Sequence, residues 1–182
     1  MDTKIRLLFK NISEIVGNKD VGLLVLVNET ETRQLTIPCN KYIMQEFERR
    51  VTRKEDTRHT ALEVLLQIIS GEVPAGHEII IEGIKDGEYQ ALLYNVETLQ
   101  PIPVHAADAV LLSLMGNLPL YISTSLFDKQ SVKYDVAAFG VSLPVNAISQ
   151  EMLEEALAKA VREENYELAS HLRDELERRK HG

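Results

Sequence analysis

Hydrophobic and polar residues alternate along several short segments of this chain, a pattern typical of strands with one buried face. The segments lie at 4–12, 21–28, 33–38, 77–84, 88–96, 99–104 and 120–124. Turn-forming residues separate the first three, which predicts a meander of strands. Lys85-Asp86-Gly87 separates the next pair and predicts a tight hairpin, because Asp-Gly favours the positive φ angles of such a turn.

Other segments repeat their hydrophobic residues every three or four positions, which predicts helices. One helix is expected from Asn40, its cap, to about Val51. A second begins at Thr60, because Thr60 and Glu63 have the spacing of a capping box. Its expected buried stripe comprises Leu62, Leu65, Leu66 and Ile69. Residues 105–116 are apolar on almost every side, which predicts a buried helix.

These elements predict an α+β domain over residues 1–128, with a mixed, largely antiparallel sheet and packed helices. Residues 129–148, which include Gly140 and Pro144, are predicted to form a linker that packs only partly. Residues 149–182 are predicted to form a helical hairpin, with Ser149 capping its first helix. Asn165 is expected to adopt the left-handed conformation that ends this helix.

The hairpin carries an apolar stripe on each helix. The expected stripes are Leu153, Ala156, Leu157, Ala160 and Val161 on the first helix, and Tyr166, Ala169, Leu172 and Leu176 on the second. A hairpin of this size buries little apolar surface, which favours pairing with another copy or packing on a partner.

The stretch from Asn165 to Leu176 resembles the short motif shared by the UvrB and UvrC repair proteins. In those proteins such hairpins mediate protein–protein contact. The resemblance implies a partner-binding surface that consists of Tyr166, Ala169, Leu172, Arg173 and Leu176.

Composition excludes several kinds of protein. Cys39 is the single cysteine, so an internal disulfide and a cysteine-based zinc site are excluded. The longest apolar run is too short to span a bilayer and no signal peptide is visible, which predicts a cytoplasmic protein without membrane attachment. Neither a phosphate-binding Gly-rich loop ending in Lys-Ser or Lys-Thr nor a dinucleotide-binding glycine turn is present. The net charge of −8 argues against broad capture of nucleic acid.

A second resemblance extends over most of residues 1–128. It rests on short motifs that follow one another in the order found in the bifunctional nuclease family. They are Arg33-Gln34-Leu35-Thr36-Ile37, Thr60, Ile79-Ile80-Ile81, Gly87-Glu88-Tyr89-Gln90-Ala91, Asp108-Ala109-Val110 and Leu118-Pro119-Leu120-Tyr121-Ile122. The resemblance implies action on both DNA and RNA, with a divalent cation such as magnesium or manganese. Some family members also carry a C-terminal helical motif of this kind.

The chain departs from the family at several polar positions. The family usually has Glu where this chain has Ile43, and a His-Asp pair where it has Ala61-Leu62. In the family's Asp-x-Arg-x-Ser-Asp stretch only the last residue, Asp108, is retained, and His105 replaces Arg.

Three residues are catalytic candidates, and each has a structural alternative. Asp108 could bind a metal ion, or it could bond free amides in the first turn of its helix. His105 could donate a proton, or it could be an ordinary residue at the helix start. Glu63 could join a metal site, or it could complete the capping box. The metal-ligand set is unassigned.

A basic run could position nucleic acid, or it could be a solvated helix end. It comprises Arg49, Arg50, Arg53, Lys54 and Arg58. Two functions are therefore open: a metal-dependent nuclease acting on DNA or RNA, and a noncatalytic, homo-oligomeric adaptor. The adaptor would recruit a repair or stress-response partner through the hairpin.

Overall fold

A computed structural model describes residues 3–15, 18–52, 60–72, 76–135 and 147–180. The strands are β1 (Lys4–Ile15), β2 (Asn18–Asn28), β3 (Arg33–Asn40), β4 (His77–Lys85), β5 (Glu88–Asn95), β6 (Pro101–His105), β7 (Leu120–Ser123) and β8 (Val132–Lys133). The helices are α1 (Lys41–Phe47), α2 (Ala61–Glu72), α3 (Ala106–Gly116), α4 (Thr124–Gln130), α5 (Gln150–Arg162) and α6 (Tyr166–Lys180).

All eight strands belong to one mixed sheet in the order β6-β5-β4-β7-β1-β2-β3-β8. Among the described strands only the β4–β7 pair is parallel, so the predicted α+β class with a largely antiparallel sheet is confirmed. The meander β1-β2-β3 and the β4–β5 hairpin form as predicted. In the hairpin turn Asp86 and Gly87 both have positive φ, as an Asp-Gly turn requires. The sequence patterns missed α4 and β8, which are both short.

Two predicted helices differ from expectation in detail. Asn40 caps α1 by accepting a hydrogen bond from the Ile43 amide at 3.0 Å, as expected. After α1 the chain continues as a π-helical segment over Glu48–Thr52 instead of an α-helix. In α2, Leu66 is buried but Leu65 is 55% exposed, so the predicted stripe is wrong at Leu65.

The main core lies between the sheet and the helices α1 and α3. Its largest buried side chains include Phe47, Leu24, Leu26, Leu35, Ile37, Ile79, Ile81, Leu111, Ile122 and Phe127. Residues 105–116 were predicted to form a buried helix, and α3 confirms this with Ala109, Val110 and Leu111 almost fully covered.

The C-terminal helices α5 and α6 form a second, smaller core. It is built from Ile148, Leu153, Ala160, Ala169, Leu172 and Leu176. Ser149 caps α5 by accepting from the Met152 amide, as predicted. The left-handed residue in the turn is Glu164 instead of Asn165. Asn165 caps α6, where its side chain accepts a hydrogen bond from the Leu168 amide at 3.2 Å.

The hairpin is in contact with the sheet domain. Ala147 is buried in the main core and the next residue, Ile148, is buried in the hairpin core. Arg179 of α6 donates a hydrogen bond to the Ile148 carbonyl at 2.7 Å and lies against Gly87 in the β4–β5 turn. Within the predicted linker, Val132–Lys133 pairs with β3. Most of the remaining linker, residues 136–146, lies outside the described residues.

Candidate functional site

A cavity of about 430 Å³ opens where three helices begin beside the sheet. The ends of β3 and β6 lead directly into α1 and α3, so their caps, Asn40 and His105, both reach it. The β4–β5 turn and the first turn of α5 complete the walls. The site is therefore assembled from segments that are far apart in the sequence.

The structure brings two of the three catalytic candidates together. His105 and Asp108 both line the cavity, with His105 exposed and Asp108 half-buried in the first turn of α3. His105 occupies the cap position of α3 but makes no side-chain capping bond. Glu88 and Glu151 also line the cavity, so three carboxylates and one imidazole share it.

Glu63 belongs to a different cluster. Its Oε1 accepts hydrogen bonds from Arg50 Nη2 at 2.8 Å and from Arg50 Nε at 3.2 Å. The capping box predicted for Thr60 and Glu63 does not form, and the Thr60 hydroxyl has no hydrogen-bond partner among the described residues. Long-range pairing with Arg50 replaces the local interaction that the spacing indicated.

The basic run is only partly exposed. The Arg50 side chain is 9% exposed and pairs with both Glu46 and Glu63. Arg49 pairs with Glu46 at 2.8 Å. Arg53, Lys54 and Arg58 lie outside the described residues. The Arg50 guanidinium is therefore directed toward carboxylates of the protein itself.

The hairpin residues divide into two groups. Ala169, Leu172 and Leu176 are buried between α5 and α6, where a partner does not reach them. Arg173 is exposed. Tyr166 is 70% exposed and Val161 is 53% exposed, so the prediction that they lie on the inner stripes is wrong. These two side chains lie on either side of the α5–α6 turn and outside the hairpin core.

Two further groups in the cavity were not predicted as site residues. Tyr89 is 5% exposed, and its hydroxyl has no hydrogen-bond partner among the described residues. Burial raises the pKa of Tyr89 well above its ordinary value, so the hydroxyl stays protonated. Cys39 is also buried there, and burial raises the pKa of its thiol to about 12. The position of Tyr89 next to the Asp86-Gly87 turn is visible in the sequence, but its place in one cavity with the starts of α1 and α3 is not.

The described residues as placed do not fit a bound metal ion. Among the described residues no three His, Cys, Asp or Glu side chains are grouped closely enough to hold one. Asp108, Glu88, Glu151 and His105 share a cavity without forming a compact ligand set.

Comparison with protein-family models identifies the domain. The model described as the bifunctional nuclease domain matches residues 24–135, more than half of the chain. The chain belongs to the bifunctional nuclease domain family. The UvrB/uvrC motif matches residues 149–180, so this family member carries both units in the order predicted. No curated protein matches the chain.

The family match covers the cavity and most of its walls. Asp108, the retained residue of the family's Asp-x-Arg-x-Ser-Asp stretch, lies in the cavity, and Ile43 lies there too. The UvrB/uvrC motif supplies a further part of the wall through Ser149, Glu151 and Met152. No helix among the described residues is long and apolar enough to cross a membrane.

Proposed function

We propose that this member of the bifunctional nuclease family acts as a self-associating adaptor and that its hydrolysis of nucleic acid is slow. The observation that carries the proposal is the environment of Ile43. The family usually has a Glu at this position, and here an isoleucine that is 2% exposed belongs to the main hydrophobic core. A methyl group cannot hold a cation or deprotonate water, so a position where the family usually has a carboxylate carries a packing residue in this chain.

The Ala61-Leu62 pair supports the same conclusion. The family usually has His-Asp at these positions, whereas Leu62 packs against the main core in this chain. Nearby, Arg50 is neutralised by Glu46 and Glu63. The charge of Arg50 is therefore used for internal pairing.

The surface of the hairpin supports an adaptor role. Val161, Tyr166 and Leu168 surround the α5–α6 turn and are all exposed. A cluster of exposed apolar side chains is typical of a protein–protein contact.

The charges of the hairpin favour a second copy as the occupant of this surface. Glu163, Glu164 and Glu167 lie at the turn, and Arg178 and Lys180 lie at the other end of α6. In an antiparallel, two-fold pairing the acidic turn of one copy would face the basic end of the other. Such an interface is self-complementary, as two-fold symmetry requires.

The first experiment measures self-association of the full chain by sedimentation. We expect Tyr166→Lys to shift the chain toward monomer, because it removes an aromatic contact and places a positive charge opposite the basic end of the other copy. Ile102→Lys is the matched control, since Ile102 is 58% exposed on the edge strand β6, outside the hairpin. A wild-type chain that stays monomeric, or a Tyr166→Lys variant that associates like wild type, would contradict the proposal.

Charge reversal tests the orientation of the two copies. Glu167→Lys alone and Lys180→Glu alone should each weaken association, because each places like charges opposite each other. A mixture of the two variants should recover it, since the hybrid dimer has opposite charges at both contacts. Failure of the mixture to associate better than either variant would contradict the antiparallel arrangement.

Hydrolysis is the second candidate function, and the shared location of Asp108 and His105 in one cavity favours it. Asp108 would accept a proton from the attacking water and His105 would donate one to the leaving oxygen. The assay is cleavage of single-stranded DNA and RNA with magnesium, manganese or calcium. We expect weak turnover, which Asp108→Asn lowers by about 100-fold or more if Asp108 is the base.

The matched control is Asp128→Asn, because Asp128 is an exposed carboxylate that pairs with Arg33 outside the cavity. Efficient cleavage by wild type that Asp108→Asn abolishes and Asp128→Asn preserves would overturn the adaptor proposal. Equal cleavage by all three proteins would identify a contaminating nuclease.

A further inference from the structure

The main core and the hairpin core meet at one peptide bond. Ala147 is buried in the main core, and the next residue, Ile148, is fully buried in the hairpin core. Hinges between structural units consist of a few residues at the ends of elements, where changes in φ and ψ move one unit as a whole. The Ala147–Ile148 connection, which lies just before α5, has the position of a hinge.

Hydrogen bonds inside the hairpin hold it together as one unit. Arg178 and Arg179 both bond the Glu175 carboxylate within α6. Arg179 also donates to the Ile148 carbonyl, so the last turn of α6 is joined to the chain just before α5. These bonds connect residues of the hairpin to each other, so they persist when the hairpin moves relative to the domain.

The contact between the hairpin and the domain is incompletely packed. The cavity of about 430 Å³ lies at this boundary, and its hairpin side consists of Ser149, Glu151 and Met152. Atoms that line an unfilled volume lack partners across it, so dispersion attraction is lost there. Beside the cavity, Arg179 lies against Gly87, which has no side chain to keep the two units apart. A limited contact of this kind between two units permits relative motion.

The docked hairpin brings like charges together. Asp108 and Glu88 line the domain side of the cavity, and Glu151 of α5 lines its hairpin side. Ionised carboxylates repel one another, which works against the docked arrangement. The docked hairpin also adds a wall and a negative charge to the cavity. It therefore hinders the entry of an anionic ligand.

We propose that the hairpin is a hinged wall that closes the cavity and inhibits access of anionic ligands to it. The hairpin turns about the Ala147–Ile148 connection. Contact of Arg179 with Gly87 holds it closed, and repulsion between Glu151 and the carboxylates of the domain favours the open arrangement. This movement requires neither self-association nor hydrolysis.

Single-molecule fluorescence energy transfer measures the position of the hairpin in the full chain. One dye is attached at Glu97→Cys, in the exposed turn after β5, and the other at Arg162→Cys, at the exposed end of α5. Cys39→Ala removes the native thiol. At picomolar concentration weak self-association does not contribute, so the result is independent of the sedimentation experiments. We expect a major state with the hairpin docked and a minor state with it away from the domain.

Arg179→Ala should raise the ratio of undocked to docked chains by about tenfold, because it removes the bond to Ile148 and the contact with Gly87. Arg178→Ala is the matched control. Arg178 bonds the same carboxylate but is largely exposed, so its loss should leave the ratio unchanged. A single docked state in both wild type and Arg179→Ala, or equal shifts in the two variants, would overturn the proposal.

Glu151→Gln tests the contribution of charge without altering the contact of Arg179. It should lower the ratio of undocked to docked chains by about twofold, because it removes one carboxylate from the closed cavity. Glu154→Gln is its control, since Glu154 belongs to the same helix and bonds Gln150. A ratio in Glu151→Gln that equals or exceeds that of Glu154→Gln would contradict the predicted repulsion.

Urea distinguishes a hinge motion from unfolding. A hinge exposes little surface, so the ratio of undocked to docked chains should change far less steeply with urea than the ratio of unfolded to folded chains. The circular dichroism of Arg179→Ala should also keep its helical signal. Equal dependence of the two ratios on urea would show that undocking is unfolding, and the hinged wall would then be wrong.

Discussion

At the scale of single residues, Arg50 shows how the fold can give a charged side chain a structural role. It belongs to a basic run whose spacing allows phosphate contact, yet its guanidinium lies between Glu46 and Glu63. A buried cation needs anionic partners, because desolvation of an unpaired charge costs several kcal/mol. Arg50 therefore joins the segment after α1 to the first turn of α2.

We expect Arg50→Met to destabilise the protein by about 3–5 kcal/mol, because it removes the largely buried cation that pairs with both Glu46 and Glu63. Thermal or denaturant unfolding measures this change. Arg49→Met is the control: Arg49 is more exposed and should cost about 1 kcal/mol or less. A loss in Arg50→Met no larger than in Arg49→Met would show that the buried pair contributes little.

At the scale of elements, the hairpin is stabilised by ion pairs as well as by its apolar core. Arg178 and Arg179 both bond the Glu175 carboxylate within α6. These hydrogen bonds lower the pKa of Glu175 below its ordinary value of 4.5, and the bond from Arg178 has the largest effect. Arg179 also reaches the Ile148 carbonyl, so Glu175 orients the residue that connects the end of α6 to the domain boundary.

This pKa shift predicts a pH dependence. A carboxyl group with a lowered pKa in the folded state stabilises that state above its unfolded pKa, and the stabilisation is lost as pH falls through the folded pKa. The melting temperature of wild type should therefore exceed that of Glu175→Gln at neutral pH. The difference should shrink below about pH 4. A difference that is constant from pH 7 to pH 3 would exclude an ionised Glu175 as its source.

At the scale of the whole molecule, Gly87 lies at the contact between the two family-matched units. It has φ +81° in the β4–β5 turn, and Arg179 of α6 lies against it. A Cβ atom at this position would lie 2.7 Å from the Ile148 carbonyl oxygen. The cavity lies beside this contact, since Gly87 and the start of α5 both line it.

We expect Gly87→Ala to destabilise the protein by about 1–2 kcal/mol, because alanine at positive φ is strained and its methyl group displaces the hairpin. Hydrogen exchange should show loss of protection concentrated in α6. Gly83→Ala is the matched control on the same hairpin, since a Cβ there meets nothing within 4 Å. Equal effects of the two substitutions would show that Gly87 does not hold the hairpin in place.

Most elements follow from local pattern because their causes are local. Alternation along β1 to β5 and the Asp86-Gly87 turn predicted the meander and the hairpin, and Asn40 and Ser149 predicted two helix starts. A cap or a turn involves residues within four positions of each other, so a short window contains the whole interaction. The motif order also predicted both family matches.

The candidate site could be predicted only in part. Asp108 and His105 lie three residues apart at the start of one helix, so their common location follows from the sequence. Tyr89, Glu88 and Glu151 join them only because β5 and α5 reach the same end of the sheet. The exposure of Tyr166 and the pairing of Arg50 with Glu63 were missed for the same reason.

The sequence by itself determined the α+β class, most helices and strands, and the order of a nuclease-family domain and a UvrB/uvrC motif. Tertiary structure alone decided which charges pair between elements, which apolar residues of the hairpin face solvent, and which segments enclose the cavity. The physical reason is the distance along the chain over which each kind of interaction acts. Periodicity, caps and turns act between neighbours in the chain, whereas ion pairs, burial and cavities depend on residues tens of positions apart, as Arg179 and Gly87 do.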